Sequence, residues 1–223
     1  MTKGNLSQAD VMKMINKKAG RTVAFTSDQE NPADIKDWIP TGSHWLDSII
    51  CRGQLAGIPV GRVTEIAGLE SSGKSYMAGQ VAHQAQQKGI KVIYFDSEAT
   101  MTTDFLEKLG CDMQGENQIL IVQPDDIEMV LETVELCMSN DPDSRYLFII
   151  DSLAMTPCRA DLEKDFNPHG SMAQKPRVLS LGMQKLTVSL SKTQSTFLVL
   201  NQLKTNINVS NPMMMLSQPW FTP

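Results

Sequence analysis

Four short stretches carry residues whose types and spacing could do chemistry together. The first is GLESSGKS, Gly68 to Ser75, in which a glycine and four residues precede Gly-Lys-Ser. Backbone amides of such a loop (Gly68, Leu69, Glu70, Ser71, Ser72 and Gly73) can wrap a polyphosphate. Lys74 is then placed to reach the outer phosphates, and Ser75 to offer its hydroxyl to Mg²⁺. The plainer reading is a glycine turn without a ligand. Against it stands the context, because the apolar run VTEIA precedes the loop and a helical segment opens at Lys74.

The second stretch, YLFIIDS, ends a continuous apolar run at Asp151, where a carboxylate beside a phosphate loop can hold the hydration shell of Mg²⁺. The third, KVIYFDSE, ends a run with Asp96 and Glu98. Ligands of open α/β sheets sit at the carboxyl ends of the strands, so Glu98 is the candidate to orient an attacking water. The alternative is that both acids cap the segment that follows. In the fourth, FLVLNQ, Asn201 and Gln202 end the last apolar run, where a side-chain amide could sense a γ-phosphate.

These residues need a frame to bring them together, and the pattern supplies one. Predicted strands at Val63–Ala67, Lys91–Phe95, Ile119–Val122, Tyr146–Ile150 and Thr196–Leu200 alternate with helical segments at Lys74–Gln87, Thr103–Leu109, Asp126–Met138 and Lys175–Lys192. Such alternation implies right-handed crossovers, hence an α/β fold with a mainly parallel sheet flanked by helices. Upstream, Ser7 can cap a helix with Val11, Met14 and Ile15 at helical spacing. That stripe is too short to be buried alone and must dock on its own core or on a neighbouring subunit. Residues 22–37, around Pro32, read as a polar linker.

Composition bounds the function. The longest apolar runs, LFII and FLVL, fall far short of the roughly 20 residues of a membrane span. The N-terminus MTKGNLSQAD lacks the apolar core of a signal peptide, so a cytoplasmic location is expected. Cys51, Cys111, Cys137 and Cys158 fit no metal-ligand spacing. A net charge of −5 argues against a generic basic nucleic-acid binder. Its distribution does not: residues 1–21 carry five Lys/Arg against one acid, and residues 154–223 carry seven against three. A solvated helix surface accounts for this blandly, and a phosphate-backbone contact near the C-terminal part accounts for it functionally.

Taken in order, IPTGSHWLDSII, GIPVGRVTEIAGLESSGKS, FDSEAT, LEKLGCD, IIDSLAMTP and FLVLNQL resemble the RecA family of strand-exchange recombinases, including its phage UvsX branch. The resemblance implies a RecA-like P-loop ATPase core over residues 38–223, preceded by a small helical arm and linker over 1–37 that docks on the next protomer. It further implies ATP and Mg²⁺ as cofactors, a homo-oligomeric helical filament, single-stranded and double-stranded DNA as partners, and no membrane. By position, Glu98 matches the water-activating glutamate, Asp151 the Mg²⁺-associated aspartate, Gln202 the γ-phosphate sensor leading into a DNA-binding loop, and Phe105 an aromatic ring against adenine. Residues 159–172 resemble the first DNA-binding loop, with Arg177 the foremost phosphate contact and Lys175 next; Met172 and, after Gln202, Lys204 are the further DNA-binding residues.

The sequence departs from the family pattern at Thr102, where an acidic contact to adenine is common, and in the first loop region. It also stops where family members continue through a glycine pair into further strands, so a C-terminally incomplete core is expected. The function implied is DNA-dependent ATP hydrolysis serving homologous pairing and strand exchange. The rival readings are a RecA-fold hexameric helicase or motor and a nucleotide-binding assembly module without turnover.

Overall fold

The computed structural model describes residues 6–20, 22–26, 34–162 and 174–203. The chain divides into two compact units, Met1–Ile35 and Lys36–Pro223.

In the first unit, α1 spans Gln8–Ala19. Ser7 caps it, its Oγ accepting from the Asp10 amide at 3.2 Å while the Asp10 carboxylate accepts from the Ser7 amide. Gly20 ends it with φ +64, a conformation glycine adopts freely. The chain then folds back on the helix: Asn16 accepts from the amides of Val23 and Ala24 at 2.8 Å each and donates to the Ala24 carbonyl at 3.1 Å. Residues 22–26, expected as linker, are thus held against α1 by a single asparagine whose side chain mimics a strand partner. Val11, Met14 and Ile15 remain exposed.

The second unit is built on a five-stranded sheet of β3 (Val63–Gly68), β4 (Lys91–Asp96), β5 (Leu120–Val122), β6 (Tyr146–Asp151) and β7 (Thr196–Gln202). The order is β3-β7-β6-β4-β5 and every pairing is parallel. Ahead of it lie a short antiparallel pair, β1 (Trp38–Ile39) with β2 (Ile58–Pro59), and a helix between them, α2 (His44–Ile50), none of which the sequence pattern had signalled.

Side-chain alternation along the strands feeds two cores. Val92, Tyr94, Leu147, Ile149, Leu198 and Leu200 pack on one face, against α3 (Lys74–Gln87). That helix presents Ala78, Val81, Ala82 and Ala85 at i, i+3, i+4 and i+7, so small residues let it lie close to the sheet. Ile93, Phe95, Phe148, Ile150, Phe197 and Val199 pack on the other face, against α5 (Ile127–Asn140) and α7 (Gln174–Thr193). Pro176 sits in the first turn of α7, where no intrahelical donor is required. Two short helices complete the unit: α4 (Thr103–Lys108) after β4 and α6 (Arg159–Leu162) after β6. Among the described residues, no helix is long and apolar enough to cross a membrane.

Candidate phosphate-binding site

The carboxyl ends of β3, β4, β6 and β7 surround a polar cavity of about 340 Å³. It is lined by Glu70 to Tyr76, Glu98, Asp151 and Gln202. The loop that forms its floor is constrained by close approach: a Cβ on Gly68 would meet the Ser72 hydroxyl at 2.8 Å. Gly73 takes φ +87 at the start of α3, and Ser71, which carries a side chain, takes φ +56. Left-handed backbone of this kind persists where surrounding structure imposes it, and it clusters at ligand sites. Lys74 folds over the loop, its Nζ donating to the Leu69 carbonyl at 2.7 Å and the Gly68 carbonyl at 3.2 Å. Neutral carbonyls are partners that an ammonium can exchange for a phosphate oxygen.

Facing the loop is a concentration of negative charge. Asp151 is 4% exposed and is the register partner of Asp96 across β6 and β4. Burial raises its pKa. Hydrogen bonds from Ser75 and Tyr94 lower it, the Tyr94 hydroxyl lying at 2.7 Å, and the charges of Glu98 and Asp96 raise it again, leaving it above the ordinary aspartate value. Burial and the Asp151 charge also push the Tyr94 phenol upward, so it stays a donor. Ser75 and Asp151 line the same cavity, and a hydroxyl with a carboxylate is the donor set a Mg²⁺ ion on a polyphosphate uses.

The two acids at the end of β4, Asp96 within it and Glu98 just beyond, separate in role. Asp96 is turned to the chain, accepting from the amides of Thr100 at 3.3 Å and Met101 at 2.8 Å. Glu98 lines the cavity, carried there by a turn in which Ala99 has φ +52. The pair that ends β7 separates in the same way. Asn201 is fully buried and donates to Glu65 on β3 at 2.8 Å, whereas Gln202 Nε2 donates to Glu98 Oε1 at 2.8 Å. The same Glu98 oxygen accepts from the Ser152 hydroxyl at 2.6 Å.

Of the remaining expected residues, Phe105 lies half-buried on α4 and is not among the residues lining the cavity. Thr102 caps that helix, accepting from the Phe105 amide at 3.2 Å. Arg177 is exposed in the first turn of α7. Lys175 has internal partners, donating to the carbonyls of Leu153 at 2.6 Å and Ala154 at 3.2 Å. Met172 and Lys204 lie outside the described residues, as does most of each segment read as a DNA-binding loop; Arg159–Leu162 forms α6. Sequence reasoning missed Tyr76, Tyr94 and Ser152. Tyr76 and Ser152 directly follow motif residues, and Tyr94 shares its strand face with Asp96, but no local pattern distinguishes any of them from core or surface positions.

Parallel strands, a glycine-lysine-serine loop opening a helix, and a buried aspartate on a neighbouring strand define a P-loop nucleotide-binding core. The RecA N-terminal domain family matches residues 6–219. The chain belongs to the RecA family. It is 37% identical over 182 residues to Protein RecA of Wolbachia sp. subsp. Drosophila simulans (strain wRi), covering 81% of this chain and 48% of that protein. It is 33% identical over 217 residues to Protein RecA of Thermus aquaticus, covering 97% and 59%. The chain spans about half the length of the curated relatives it matches. These relatives are RecA proteins, so the UvsX branch rests on the sequence motifs alone. The crystal structure of the RadB recombinase shares the fold with a TM-score of 0.53 at 22% identity, covering 77% of this chain and 73% of the other.

Proposed function

We propose that this chain forms the ATP-binding core of a RecA-type recombinase. In this reading it assembles into a helical filament in the cytoplasm, holds single-stranded DNA, pairs it with a homologous duplex and exchanges strands. The observation that carries the proposal is the shared Glu98 oxygen. Gln202, the last residue of β7, donates to the residue best placed to orient water, and Leu203 after it donates its amide to the Gly68 carbonyl of the phosphate loop at 3.1 Å.

The chemistry follows from the positions. Loop amides and Lys74 hold the β- and γ-phosphates, Lys74 leaving the Gly68 and Leu69 carbonyls to do so. Ser75 and Asp151 are the residues that would hold Mg²⁺, which would supply positive charge against the phosphates. Glu98 accepts a hydrogen bond from the attacking water, and Gln202 turns its amide from Glu98 to the γ-phosphate. Turning Gln202 re-aims the chain that follows it, so that DNA grip depends on the triphosphate. The base packs on Phe105 or on the more exposed Tyr76, Arg177 and Lys204 contact DNA phosphates, and Met172 gives an apolar contact to the DNA. The helix α1 docks on the next protomer through Val11, Met14 and Ile15. Binding through phosphates is sequence-tolerant and strongly salt-dependent.

The deciding experiment measures ATP hydrolysis with and without single-stranded DNA at low salt, with Lys74→Ala as the nucleotide-binding control. DNA is expected to raise the wild-type rate and to leave Lys74→Ala silent. Hydrolysis indifferent to DNA overturns the proposal. Closed rings under the electron microscope in place of open helices favour a hexameric motor instead, and binding without turnover favours an assembly module.

A further inference from the structure

Ser152 closes the stretch YLFIIDS without a role of its own in the sequence reading, yet it is completely buried beside the site. Its hydroxyl donates to Glu98 Oε1 at 2.6 Å. Its own carbonyl accepts from the Ser97 hydroxyl at 2.9 Å and the Thr156 hydroxyl at 3.1 Å. The next residue, Leu153, donates its amide to the Leu200 carbonyl on β7 at 2.9 Å. The carbonyls of Leu153 and Ala154 then receive the Lys175 ammonium. From the Glu98 carboxylate to the first turn of α7 there is thus one hydroxyl, a stretch of backbone held at each residue, and one ammonium.

Resting on the reading of the cavity as a nucleotide site, we infer that Ser152 positions Glu98 and, together with Lys175, transmits the state of the nucleotide to the first turn of α7. This route is separate from the one through Gln202. Glu98 Oε1 has two donors, Ser152 and Gln202. When Gln202 gives its amide to a phosphate, Ser152 becomes the donor that holds the carboxylate, and Glu98 settles toward it. Ser152 cannot follow without moving Leu153 and Ala154, whose carbonyls Lys175 grips. Lys175 is thereby a brace between the nucleotide site and α7, and Arg177, two residues further on, is displaced with it. On the other side of the same connection Arg159 is fixed to α5, its Nε donating to Asp126 at 3.1 Å and its amide to Glu128 at 3.0 Å. Motion is therefore directed to the α7 end, since the α6 end is held. Hydrogen-bonded continuity is a physical hypothesis of coupling, and its proof is an equilibrium that both ends bias.

The test is amide hydrogen exchange of residues 174–180 in the whole chain, with Mg²⁺ and either ADP or a non-hydrolysable ATP analogue, nucleotide affinity being measured in parallel. The wild type should differ between the two nucleotides by at least about 5-fold in protection. Lys175→Met and Ser152→Ala should bring the two within roughly 2-fold while nucleotide affinity stays within that same margin, and Lys175→Arg should restore the difference. Ser152→Ala should also lower kcat without raising KM for ATP. Variants that keep the wild-type ratio overturn the inference, as does a wild type that binds both nucleotides with no difference at α7; in either case the nucleotide site itself stands. Failure to bind nucleotide at all overturns both readings. A second measurement decides what Lys175 does. A brace leaves the salt dependence of single-stranded DNA binding unchanged in Lys175→Met, whereas a phosphate contact lowers its slope by about one and overturns the brace.

Discussion

The core unit holds a polar cluster at each end of its sheet, and the two clusters solve the burial of a carboxylate in opposite ways. At the amino ends of the strands, Asp37 receives the Lys88 ammonium and, at 2.9 Å, the Arg145 guanidinium. Those cations are further held by the carbonyls of Trp38 and Lys88. Burial raises the Asp37 pKa, but the Lys88 and Trp38 hydrogen bonds and the two positive charges outweigh it, leaving the carboxyl below its ordinary value. At the carboxyl ends, Asp151 has the neutral hydroxyls of Ser75 and Tyr94, with Glu98 and Asp96 adding negative charge, and its pKa is raised. Lys74, which also lines the cavity, is engaged with carbonyls of the loop. Among the described residues, one end answers its carboxylate with cations, and the other holds its acids with neutral donors. A cluster of the second kind costs stability and is explained by a positively charged ligand such as Mg²⁺.

The contrast can be broken most severely at Glu98. Glu98→Gln should lower ATP hydrolysis by roughly 10²–10⁴-fold with nucleotide affinity retained, as expected for a group that acts on water and not on binding. Single-turnover rates and equilibrium titration separate the two; a parallel loss of affinity would make Glu98 a binding residue.

At the amino ends, Asp37→Asn should destabilise the chain by about 1–2 kcal/mol, roughly 2–4 °C in Tm per kcal/mol, and leave nucleotide affinity unchanged. Because the folded pKa of Asp37 lies below the unfolded value of 3.8, its contribution is present above that pH and is lost as the pH falls through the folded value. The gap between wild type and variant should therefore close on acidification, which thermal melts between pH 3 and 6 would record (roughly the range over which carboxylates titrate).

The smallest effect has the opposite sign. Asp151→Asn should stabilise the nucleotide-free chain by on the order of 1 kcal/mol, roughly 2–4 °C in Tm, while abolishing Mg²⁺-dependent nucleotide binding, a trade of stability for function. Here the folded pKa lies above 3.8, so the wild type loses stability as the pH rises from 3.8 through the folded value, and the advantage of Asn grows over that window. Melts of the nucleotide-free variant that match or fall below wild type at neutral pH would show that Ser75 and Tyr94 already compensate the buried charge.

Much of this architecture is legible locally. VIYF, LFII and FLVL are continuous apolar runs because their strands are buried on both faces, whereas the edge strand VTEIA is only half-buried and interrupts its apolar residues with Thr64 and Glu65; Ala78, Val81, Ala82 and Ala85 mark a helix by spacing alone. The pair β1 and β2 is not legible, since two residues carry no period, and α2 exposes Trp45 and Ile49, so its apolar residues do not trace a buried stripe. Within the site, Lys74, Ser75, Glu98, Asp151 and Gln202 were readable from motif and strand end, and all five line one cavity. Ser152 and Lys175 were not readable in the roles they hold, because their partners lie 54 residues away at Glu98 and 22 residues away at Leu153.

What the sequence determined by itself was therefore the order of elements, the phosphate loop and the placing of polar residues at strand ends, all of which follow from spacing within a few residues. Only the tertiary structure decided which member of each polar pair faces the cavity: Glu98 and not Asp96, Gln202 and not Asn201. The reason is that alternation sends neighbouring residues to opposite faces without saying which face holds the ligand. That is set by the chain each side chain meets, as when the amides of Thr100 and Met101 capture Asp96 and Glu65 on the paired strand captures Asn201.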